Sequence, residues 1–323
     1  FWVMAAIGAL GGVPIILWNA AHDWVTFKHT QTHAGIDAMY DWLGPIKYVG
    51  GQFGLLLGFW FIVWLRGMWA HRPGAEPRAD VRFLWWMSLP TLIFFGLFAF
   101  KNRGGEPNWP MAGYLSGMVL AGDWLRGQCQ QTGAWPRSTA RIGTVSFAAI
   151  GILLTLAFHQ PMTLRPILLR IAGPTTVDRP MPLRRFDPTV RLRGWRHLAA
   201  EVDRVRALYP DAVIAAERWT IASETAFYCE GHPKIYCMGL FVGDRDSQYD
   251  VWRPNPVHDP SAFHGRTFIL VGTDVGQLRH LFGSMEPIRP VQYREGDQLI
   301  SEWTIAVAHD FRGVPHTALT ESP

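Results

Sequence analysis

Two cations and one acid stand close together in the turn KNRGGEPNWP, which runs from Lys101 to Pro110. Glycines and prolines separate Lys101, Arg103 and Glu106, and the turn joins two strongly apolar stretches. An ammonium and a guanidinium group at this spacing can bind a phosphate, the first as a point charge and the second as a two-pronged donor. The alternative is interfacial anchoring, because basic residues at the ends of membrane spans extend their charges to the lipid surface.

A second stretch with titratable side chains is WNAAHDWVTFKHTQTHAGID, which contains His22, Asp23, Trp24, His29 and His33. His29 and His33 are four positions apart, so on a helix they would share one face and could bind a metal ion. Hydrogen-bonded interfacial histidines are the alternative. Asp23 beside His22 has the chemistry of an acid or a base.

The chain contains three cysteines, too few for a disulfide scaffold. Cys229 and Cys237 are eight positions apart in FYCEGHPKIYC. In an oxidising compartment these two thiols could pair. Two ordinary buried thiols are the alternative.

Several function classes lack their sequence signatures here. The chain contains no G-x-x-x-x-G-K-[ST] phosphate loop, no G-x-G-x-x-G following a strand and no G-x-S-x-G nucleophile elbow. Basic residues are not interleaved with exposed aromatic residues in a nucleic-acid pattern. The net charge of +4 fits a membrane protein near anionic lipid better than a nucleic-acid binder.

Five apolar stretches predict membrane-spanning helices, since a span needs roughly 20 mostly apolar residues. They cover residues 1–18, 45–65, 83–100, 109–125 and 142–158. Tryptophan occurs sixteen times, and its ring favours the headgroup layer at the ends of spans. Five of these residues lie near such ends: Trp18, Trp69, Trp85, Trp109 and Trp124.

Arginines in the short loops predict the orientation, because basic residues concentrate on the cytoplasmic side. They follow the second and the fourth predicted spans: Arg66, Arg72, Arg78, Arg82, Arg126, Arg137 and Arg141. We therefore expect the loops 19–44 and 101–108, and everything after residue 158, to lie outside.

The rest of the chain is more polar. Residues 160–190 are rich in proline and arginine without a clear period, which predicts a linker over the membrane surface. Its arginines either contact anionic headgroups or remain solvated. Residues 191–323 alternate between helical and strand patterns. The predicted fold class is an α-helical multi-pass membrane bundle over residues 1–159, followed by a small α/β extracytoplasmic domain.

Four stretches resemble the C-terminal part of bacterial glycosyltransferase family 39 proteins: PIILWNAAHDWVTFKHTQTH, GGQFGLLLGFWF, EPNWPMAGYLSGMVLAGDWL and SQYDVW. That family is similar to dolichyl-phosphate-mannose protein mannosyltransferases and lipid A aminoarabinose transferases. The patterns W-N-A-x-H-D-W and E-P-N-W-P are the most specific parts of the resemblance.

The resemblance implies a C-type inverting glycosyltransferase of the bacterial inner membrane. Such an enzyme moves a sugar from a polyprenyl-phosphate donor to a lipid, glycan or protein acceptor on the outer side. By similarity, Lys101 and Arg103 face the carrier phosphate and Glu106 orients them, while the loop 19–44 lies near the acceptor. The resemblance leaves open whether the enzyme requires a divalent metal. No nucleic-acid partner is expected.

The family's catalytic carboxylate lies in a first outer loop near the N-terminus. This chain opens on Phe1 inside an apolar run. We therefore expect it to be the C-terminal part of a longer protein, with the general base upstream and no activity as a fragment.

Two other functions compete with the transferase. A lipid-linked-sugar transporter would need inverted repeats or broken spans with polar residues at mid-depth. A non-catalytic membrane anchor for an outer binding domain needs neither.

In the α/β domain, Tyr249, Trp252 and Arg253 are candidates for stacking on sugars, although core packing is the favoured role of Trp252.

Overall fold

The computed structural model describes residues 2–22, 24–35, 38–75, 77–130, 137–176, 178–244 and 246–313. It is mostly helical in its first half and ends in a small mixed sheet. Contacts between residues divide the chain into two units, Phe1–Leu156 and Ala157–Pro323.

Helices begin the chain and account for most of the first unit. They are α1 (Trp2–Leu10), α2 (Val13–Ala21), α3 (Val25–Ala34), α4 (Gly44–Leu55), α5 (Phe59–Ala70), α6 (Ala79–Phe98), α7 (Met111–Cys129) and α8 (Arg137–His159).

Two helices in the described part of the chain are long and apolar enough to cross a membrane. They cover Ala79–Phe98 and Ser138–His159, and a broken pair adds a third span if its two helices count as one. The first predicted span is divided into α1 and α2, which are shorter. The fourth predicted span forms α7, whose last turns carry the charges of Asp123 and Arg126. The structure therefore supports two or three of the five predicted spans by length and hydropathy.

The second predicted span is not one continuous helix. Helices α4 and α5 meet at an angle of 106°. At the break, Leu57 and Gly58 adopt positive φ angles of 53° and 68°. A Cβ atom on Gly58 would lie 2.5 Å from the Phe53 ring, so only glycine permits this close approach. The break is wholly apolar, and for that reason the hydropathy pattern gave no sign of it.

Helices α5, α6 and α7 form the core of the first unit. Small residues bring the backbones together, since a Cβ on Gly67 would lie 2.6 Å from the Cα of Ala121. The indole N–H of Trp64 donates to the hydroxyl of Ser88 over 3.3 Å, and both side chains are buried. This packing fixes α6 and α7, and therefore the turn that joins them.

The segment predicted to be a linker contains regular structure. Residues Pro161–Ala172 form the helix α9, and Pro182–Arg185 and Pro188–Leu192 form 3₁₀ turns. Leu168, Leu169 and Ala172 of α9 pack on a small core of Leu183, Val190 and Ile300. The segment is therefore part of the second unit.

The rest of the second unit alternates helices, 3₁₀ turns and strands. Its helices are α10 (Trp195–Leu208), α11 (Trp219–Tyr228) and α12 (Gln248–Val251). Further 3₁₀ turns cover Gly239–Val242, Pro260–Phe263 and Val275–Leu281. Its strands are β1 (Val213–Ala216), β2 (Ile235–Cys237), β3 (Phe268–Gly272), β4 (Phe282–Met285), β5 (Arg289–Glu295) and β6 (Gln298–Phe311).

The six strands form one mixed sheet in the order β2-β1-β3-β6-β4, with β5 also paired to β6. Strands β1, β2 and β3 are parallel, whereas β6 is antiparallel to β3, β4 and β5. Glu295 pairs with Gln298, so β5 and β6 form a hairpin that turns at residues 296–297. Alternate residues of β1 enter cores on opposite faces, Ile214 on one and Val213 on the other.

Both cysteines of the second unit are free thiols rather than a disulfide. Cys229 and Cys237 are buried in the core on the α10 side of the sheet. Burial raises the pKa of each thiol to about 12. Of the two alternatives the sequence allowed, the structure contains the buried thiols.

Candidate functional site

The charged turn between α6 and α7 has a tightly folded backbone. Arg103, Gly104 and Gly105 all have positive φ angles, of 59°, 103° and 60°. A Cβ atom on Gly104 would lie 2.9 Å from the Cβ of Lys47, so glycine lets the turn approach the first turn of α4. The turn is therefore packed against a helix instead of projecting freely.

Helix α4 supports the turn through buried polar contacts. Gln52, which is 1% exposed, donates to the carbonyl oxygen of Pro107 over 3.0 Å. The Tyr114 hydroxyl donates to Gln52 over 3.0 Å, and the Tyr48 hydroxyl donates to the carbonyl oxygen of Leu92 over 2.9 Å. These contacts tie α4 to α6, to α7 and to the proline-rich end of the turn.

The side chain of Lys101 has a defined position. Its ammonium group donates to the carbonyl oxygen of Ala38 over 2.8 Å and lies 4.2 Å from the centre of the Tyr40 ring. The ring face favours a nearby cation. An ammonium group has three donors, and Ala38 uses one of them. Lys101 is therefore held in place, and within the described part of the chain two of its donors remain for a ligand.

A carboxylate that interacts electrostatically with Arg103 belongs to Asp41. Lys47 donates to it over 2.7 Å, and the backbone N–H of Leu43 donates over 2.9 Å. The hydrogen bond from Lys47 and the charges of Lys47 and Arg103 hold the pKa of Asp41 below its ordinary value, against a smaller opposing effect of burial. Asp41 is therefore ionised at neutral pH and already engaged by Lys47.

Arg103 and Glu106 are both exposed. Within the described ranges, neither side chain makes a hydrogen bond or an ion pair. The orienting contact expected from Glu106 is not present, because its carboxylate does not bind Lys101 or Arg103. Asp41 is the acid that neighbours Arg103. The Arg103 guanidinium thus presents its full set of donors to solvent.

Large exposed apolar side chains lie in the segment that contacts Lys101. The segment that carries Ala38 and Asp41 also exposes much of Met39 (92%), Trp42 (76%), Leu43 (60%) and Ile46 (69%). Trp42 packs edge-on against Phe100, and the N–H of Asp41 donates to the carbonyl oxygen of Phe100 over 2.7 Å. Lys101 and Arg103, which form no ion pair with another described residue, therefore occur beside exposed apolar side chains, as an amphiphile with an anionic head would require. We call Lys101, Arg103, Lys47 and Asp41 the cation cluster.

The other predicted site residues follow α2. The Nδ1 atom of His22 lies 2.7 Å from the carbonyl oxygen of Trp18, and its ring stacks on the Trp18 ring at 4.2 Å. Trp24 has φ +58° and is 44% exposed. His29 is an exposed residue of α3. The structure does not bring His22 or Trp24 into contact with the cation cluster.

Asp23 and the side chain of His33 lie outside the described residues. His33 belongs to α3 with His29, so the helix that their spacing required is present. Among the described side chains, no group of three or more His, Cys, Asp or Glu residues is arranged to hold a metal ion.

An aromatic groove lies in the second unit. Its volume is about 170 Å³, and its lining includes Lys234, Tyr236, Tyr249 and Trp252. Trp252 is 54% exposed and meets Tyr249 edge-on at 5.2 Å. The expectation that Trp252 packs in the core is therefore wrong.

Buried hydrogen bonds fix the loop that presents Trp252. Asn255, which is 2% exposed, donates to the carbonyl oxygens of Asp250 and Trp252, over 3.1 and 2.9 Å. Its own side-chain oxygen accepts from the backbone N–H groups of Val257 and His258. Arg253, the third predicted sugar contact, pairs with Asp259 over 3.1 Å. An exposed ring on a rigid loop is a suitable platform for stacking.

Four contributors to the cation cluster were not predicted from the sequence: Tyr40, Asp41, Lys47 and Gln52. Lys47 lay inside a predicted span, where a lone cation resembles an interfacial anchor. Asp41 and Lys47 are six apart, a spacing without a helical signal. Their relation to Lys101 depends on contacts across about sixty positions, which a local pattern does not contain.

The chain is similar to one curated protein over part of its length. Over 126 residues it is 28% identical to the lipid A galacturonosyltransferase RgtD of Rhizobium johnstonii, which covers 38% of this chain and 26% of that protein. The chain thus spans about a quarter of the length of the curated relative it matches. No protein-family model and no solved structure matches it. The likeness fits a membrane glycosyltransferase family in general and does not distinguish family 39.

Proposed function

We propose that the chain is part of an integral-membrane glycosyltransferase that takes a sugar from a polyprenyl-phosphate donor. In this proposal the cation cluster binds the carrier phosphate on the outer side of a bacterial inner membrane. The observation that carries it is the position of Lys101, fixed by Ala38 and Tyr40 beside an exposed apolar surface.

Charge development in the reaction explains why fixed cations would help. When the glycosidic bond to a carrier phosphate breaks, negative charge grows on the departing phosphate oxygen. Donors that are already oriented stabilise this charge more than the ground state and so lower the barrier. Lys101 would supply a point charge, and Arg103 would supply two parallel N–H donors.

Asp41 has a separate role in this account. Its carboxylate accepts from Lys47, so its charge is largely compensated. Its charge also attracts the Arg103 guanidinium and so restricts the positions that this side chain takes. We infer that Asp41 positions the cations and does not itself contact the phosphate, because two anions would repel each other.

The acceptor is proposed to be a lipid. The similar protein of Rhizobium johnstonii is a lipid A galacturonosyltransferase, which favours a lipid acceptor over a glycan or a protein. The groove at Trp252 offers a stacking surface for a sugar of that acceptor.

A transfer assay tests this function. The full-length protein in lipid nanodiscs would be given a radiolabelled polyprenyl-phosphate sugar and lipid A, and labelled lipid A would be measured. Transfer that falls at least tenfold in Lys101→Ala, and not in Arg82→Ala, supports the proposal. Arg82 is an exposed arginine near the opposite end of α6. Equal transfer by all three proteins would contradict the assigned site.

A transporter of lipid-linked sugars is the second candidate, because of the break between α4 and α5. Discontinuous helices are typical of transporter binding sites. Many transporters also contain inverted repeats, and none is evident in this sequence. Movement of a fluorescent polyprenyl-phosphate sugar across proteoliposomes, without transfer to an acceptor, would favour this candidate.

A further inference from the structure

Helix α9 follows α8 after a single residue, Gln160. Pro161 opens the helix, where its fixed φ and missing N–H are tolerated. Gly173 with φ +76° and Pro174 end it. At 12 residues the helix is about 18 Å long, which is too short to cross a hydrocarbon core of about 30 Å.

One face of α9 is fixed to the sheet of the second unit. Arg165 donates to the carbonyl oxygen of Glu295 over 2.8 Å and lies 3.6 Å from its carboxylate. Arg193 donates to the same carboxylate over 2.8 Å. Leu168 and Leu169 pack on the small core described above. The rotation of α9 about its own axis is therefore set by the second unit.

A different face of α9 carries an apolar stripe. Leu164, Ile167 and Ile171 stand three and four positions apart, so they align along one side of the helix. They are 36%, 57% and 58% exposed. Three branched aliphatic side chains in one line on a single helix are unusual for a surface that faces only water.

Exposed positive charge accompanies this stripe. Residues 160–187 contain five arginines and two aspartates, which gives a net charge of +3 (5 − 2). Of the two acids, Asp187 is buried and paired with Arg193. Four of the five arginines are exposed: Arg170, Arg179, Arg184 and Arg185. The segment from α9 to residue 187 therefore exposes both apolar and basic side chains, although Glu295 and Asp297 lie in the groove beside Arg165 and Arg170.

We propose that α9 is an interfacial helix that lies in the plane of the membrane surface, with Leu164, Ile167 and Ile171 in the lipid and the neighbouring arginines on anionic headgroups. Helices with an apolar face and a basic flank bind at the boundary of headgroups and acyl chains. Because α9 is fixed to the sheet through Arg165 and Glu295, it holds the second unit in one orientation on the membrane. The inference is independent of the proposed transferase activity.

Two observations favour a lipid surface over a second protein. Helix α8 contains a 22-residue stretch that is long and apolar enough to cross a membrane, and it ends one residue before α9. The charge next to the stripe has the sign that anionic lipid attracts. A protein partner would be an outcome of the test below.

Spin labelling of the full-length protein tests the proposal. Cys129 is first replaced by serine, while Cys229 and Cys237 are buried and can remain. A nitroxide is then attached at Leu164→Cys, Ile167→Cys and Ile171→Cys in separate proteins, in nanodiscs that contain phosphatidylglycerol and phosphatidylcholine. Collision with oxygen reports lipid, and collision with a water-soluble nickel chelate reports solvent. The matched control is Leu208→Cys, an apolar residue of α10 that is 68% exposed.

The expected result is that the three stripe labels collide readily with oxygen and several-fold less with nickel than the label at Leu208. Nickel accessibility equal to that of Leu208 would overturn the proposal, because the stripe would face water. Shielding from both reagents would overturn it as well, because protein would cover the stripe. Three positions keep the test valid if one label perturbs the helix.

A change of lipid tests the electrostatic part. In nanodiscs of phosphatidylcholine alone, the stripe labels should become more accessible to nickel, since the arginines lose their anionic partners. Unchanged accessibility would contradict the role assigned to Arg170 and the arginines that follow it.

Discussion

The ammonium group of Lys101 lies 2.8 Å from the carbonyl oxygen of Ala38, sixty-three positions earlier in the chain. This hydrogen bond joins the turn between α6 and α7 to the segment that precedes α4. It gives a flexible side chain a fixed direction over the Tyr40 ring. The cation cluster is thus a product of tertiary structure, and its supporting contacts can be removed one at a time.

The first prediction concerns Gly104, which allows the turn to approach α4. In Gly104→Ala, the new Cβ would lie 2.9 Å from the Cβ of Lys47, at a backbone φ of +103°. We expect a loss of about 1–3 kcal/mol of stability and weaker binding of the carrier, because the turn must move. Thermal unfolding in nanodiscs measures the loss of stability.

The control for this variant is Gly74→Ala. Gly74 has no atom within 4 Å of the position of an added Cβ and has an ordinary φ. If both variants unfold at the same temperature, the close approach of Gly104 to Lys47 does not contribute to stability.

The second prediction concerns Gln52, which supports the proline-rich end of the turn. Gln52→Ala removes the partner of the Pro107 carbonyl and of the Tyr114 hydroxyl. We expect a loss of about 1–3 kcal/mol, since buried polar groups without partners are costly. Thermal unfolding is again the measurement, with the exposed Gln130→Ala as a variant that should change little. A neutral Gln52→Ala would mean that water replaces both bonds.

The third prediction separates binding from folding in the second unit. Trp252→Ala should change stability by less than about 0.5 kcal/mol, because the ring is 54% exposed. It should nevertheless weaken binding of the acceptor sugar, measured by calorimetry. Trp303, which is 5% exposed, is the comparison, and Trp303→Ala should cost about 3–5 kcal/mol. Unaltered acceptor binding in a folded Trp252→Ala protein would exclude the groove as an acceptor site.

The fourth prediction concerns pH and Glu286, which joins α10 to the sheet. The hydrogen bond from Tyr209, at 2.5 Å, and then contacts with His309 hold the pKa of Glu286 below its ordinary value. A carboxyl group with a lowered pKa stabilises the folded state above its unfolded pKa. That contribution is lost as the pH falls through the folded value.

Hydrogen exchange in β4 and β6 measures this effect, because β4 ends next to Glu286 and β6 contains His309. Protection should decrease below about pH 5 in the natural protein and depend less on pH in Glu286→Gln. Glu302→Gln, which changes an exposed carboxyl group, is the matched control. Identical pH profiles in all three proteins would show that Glu286 does not couple folding to pH.

Sequence patterns predicted the helices and strands whose formation depends on neighbouring residues. The hairpin at Gly296 was predictable because alternating strands flank a short turn with glycine at φ +61°. Helix α9 was missed because Pro166 interrupts its pattern, although Pro166 lies inside the helix. The 106° break after α4 was missed because it depends on the contact between Gly58 and Phe53.

The candidate site was predictable only in part. Lys101 and Arg103 are recognisable as candidates in the sequence because charged residues are rare between apolar runs. The partners of these two cations could not be predicted, because Ala38 and Asp41 are about sixty positions away in the sequence and are near them only in the folded structure. The family resemblance implied that Glu106 orients the cations, but its side chain is exposed and makes no contact with Lys101 or Arg103 among the described residues. Nearness along the chain was a poor guide to electrostatic partnership here.

Binding of undecaprenyl phosphate to the full-length protein in nanodiscs tests the central claim most directly, with Lys101→Ala, Arg103→Ala and the control Arg82→Ala. Loss of one charged contact should weaken binding by about 1.5–3 kcal/mol, or roughly 10- to 100-fold. We predict this loss for Lys101→Ala and Arg103→Ala, and none for Arg82→Ala. Equal binding by all four proteins would contradict the account, because Lys101 and Arg103 would then be interfacial anchors.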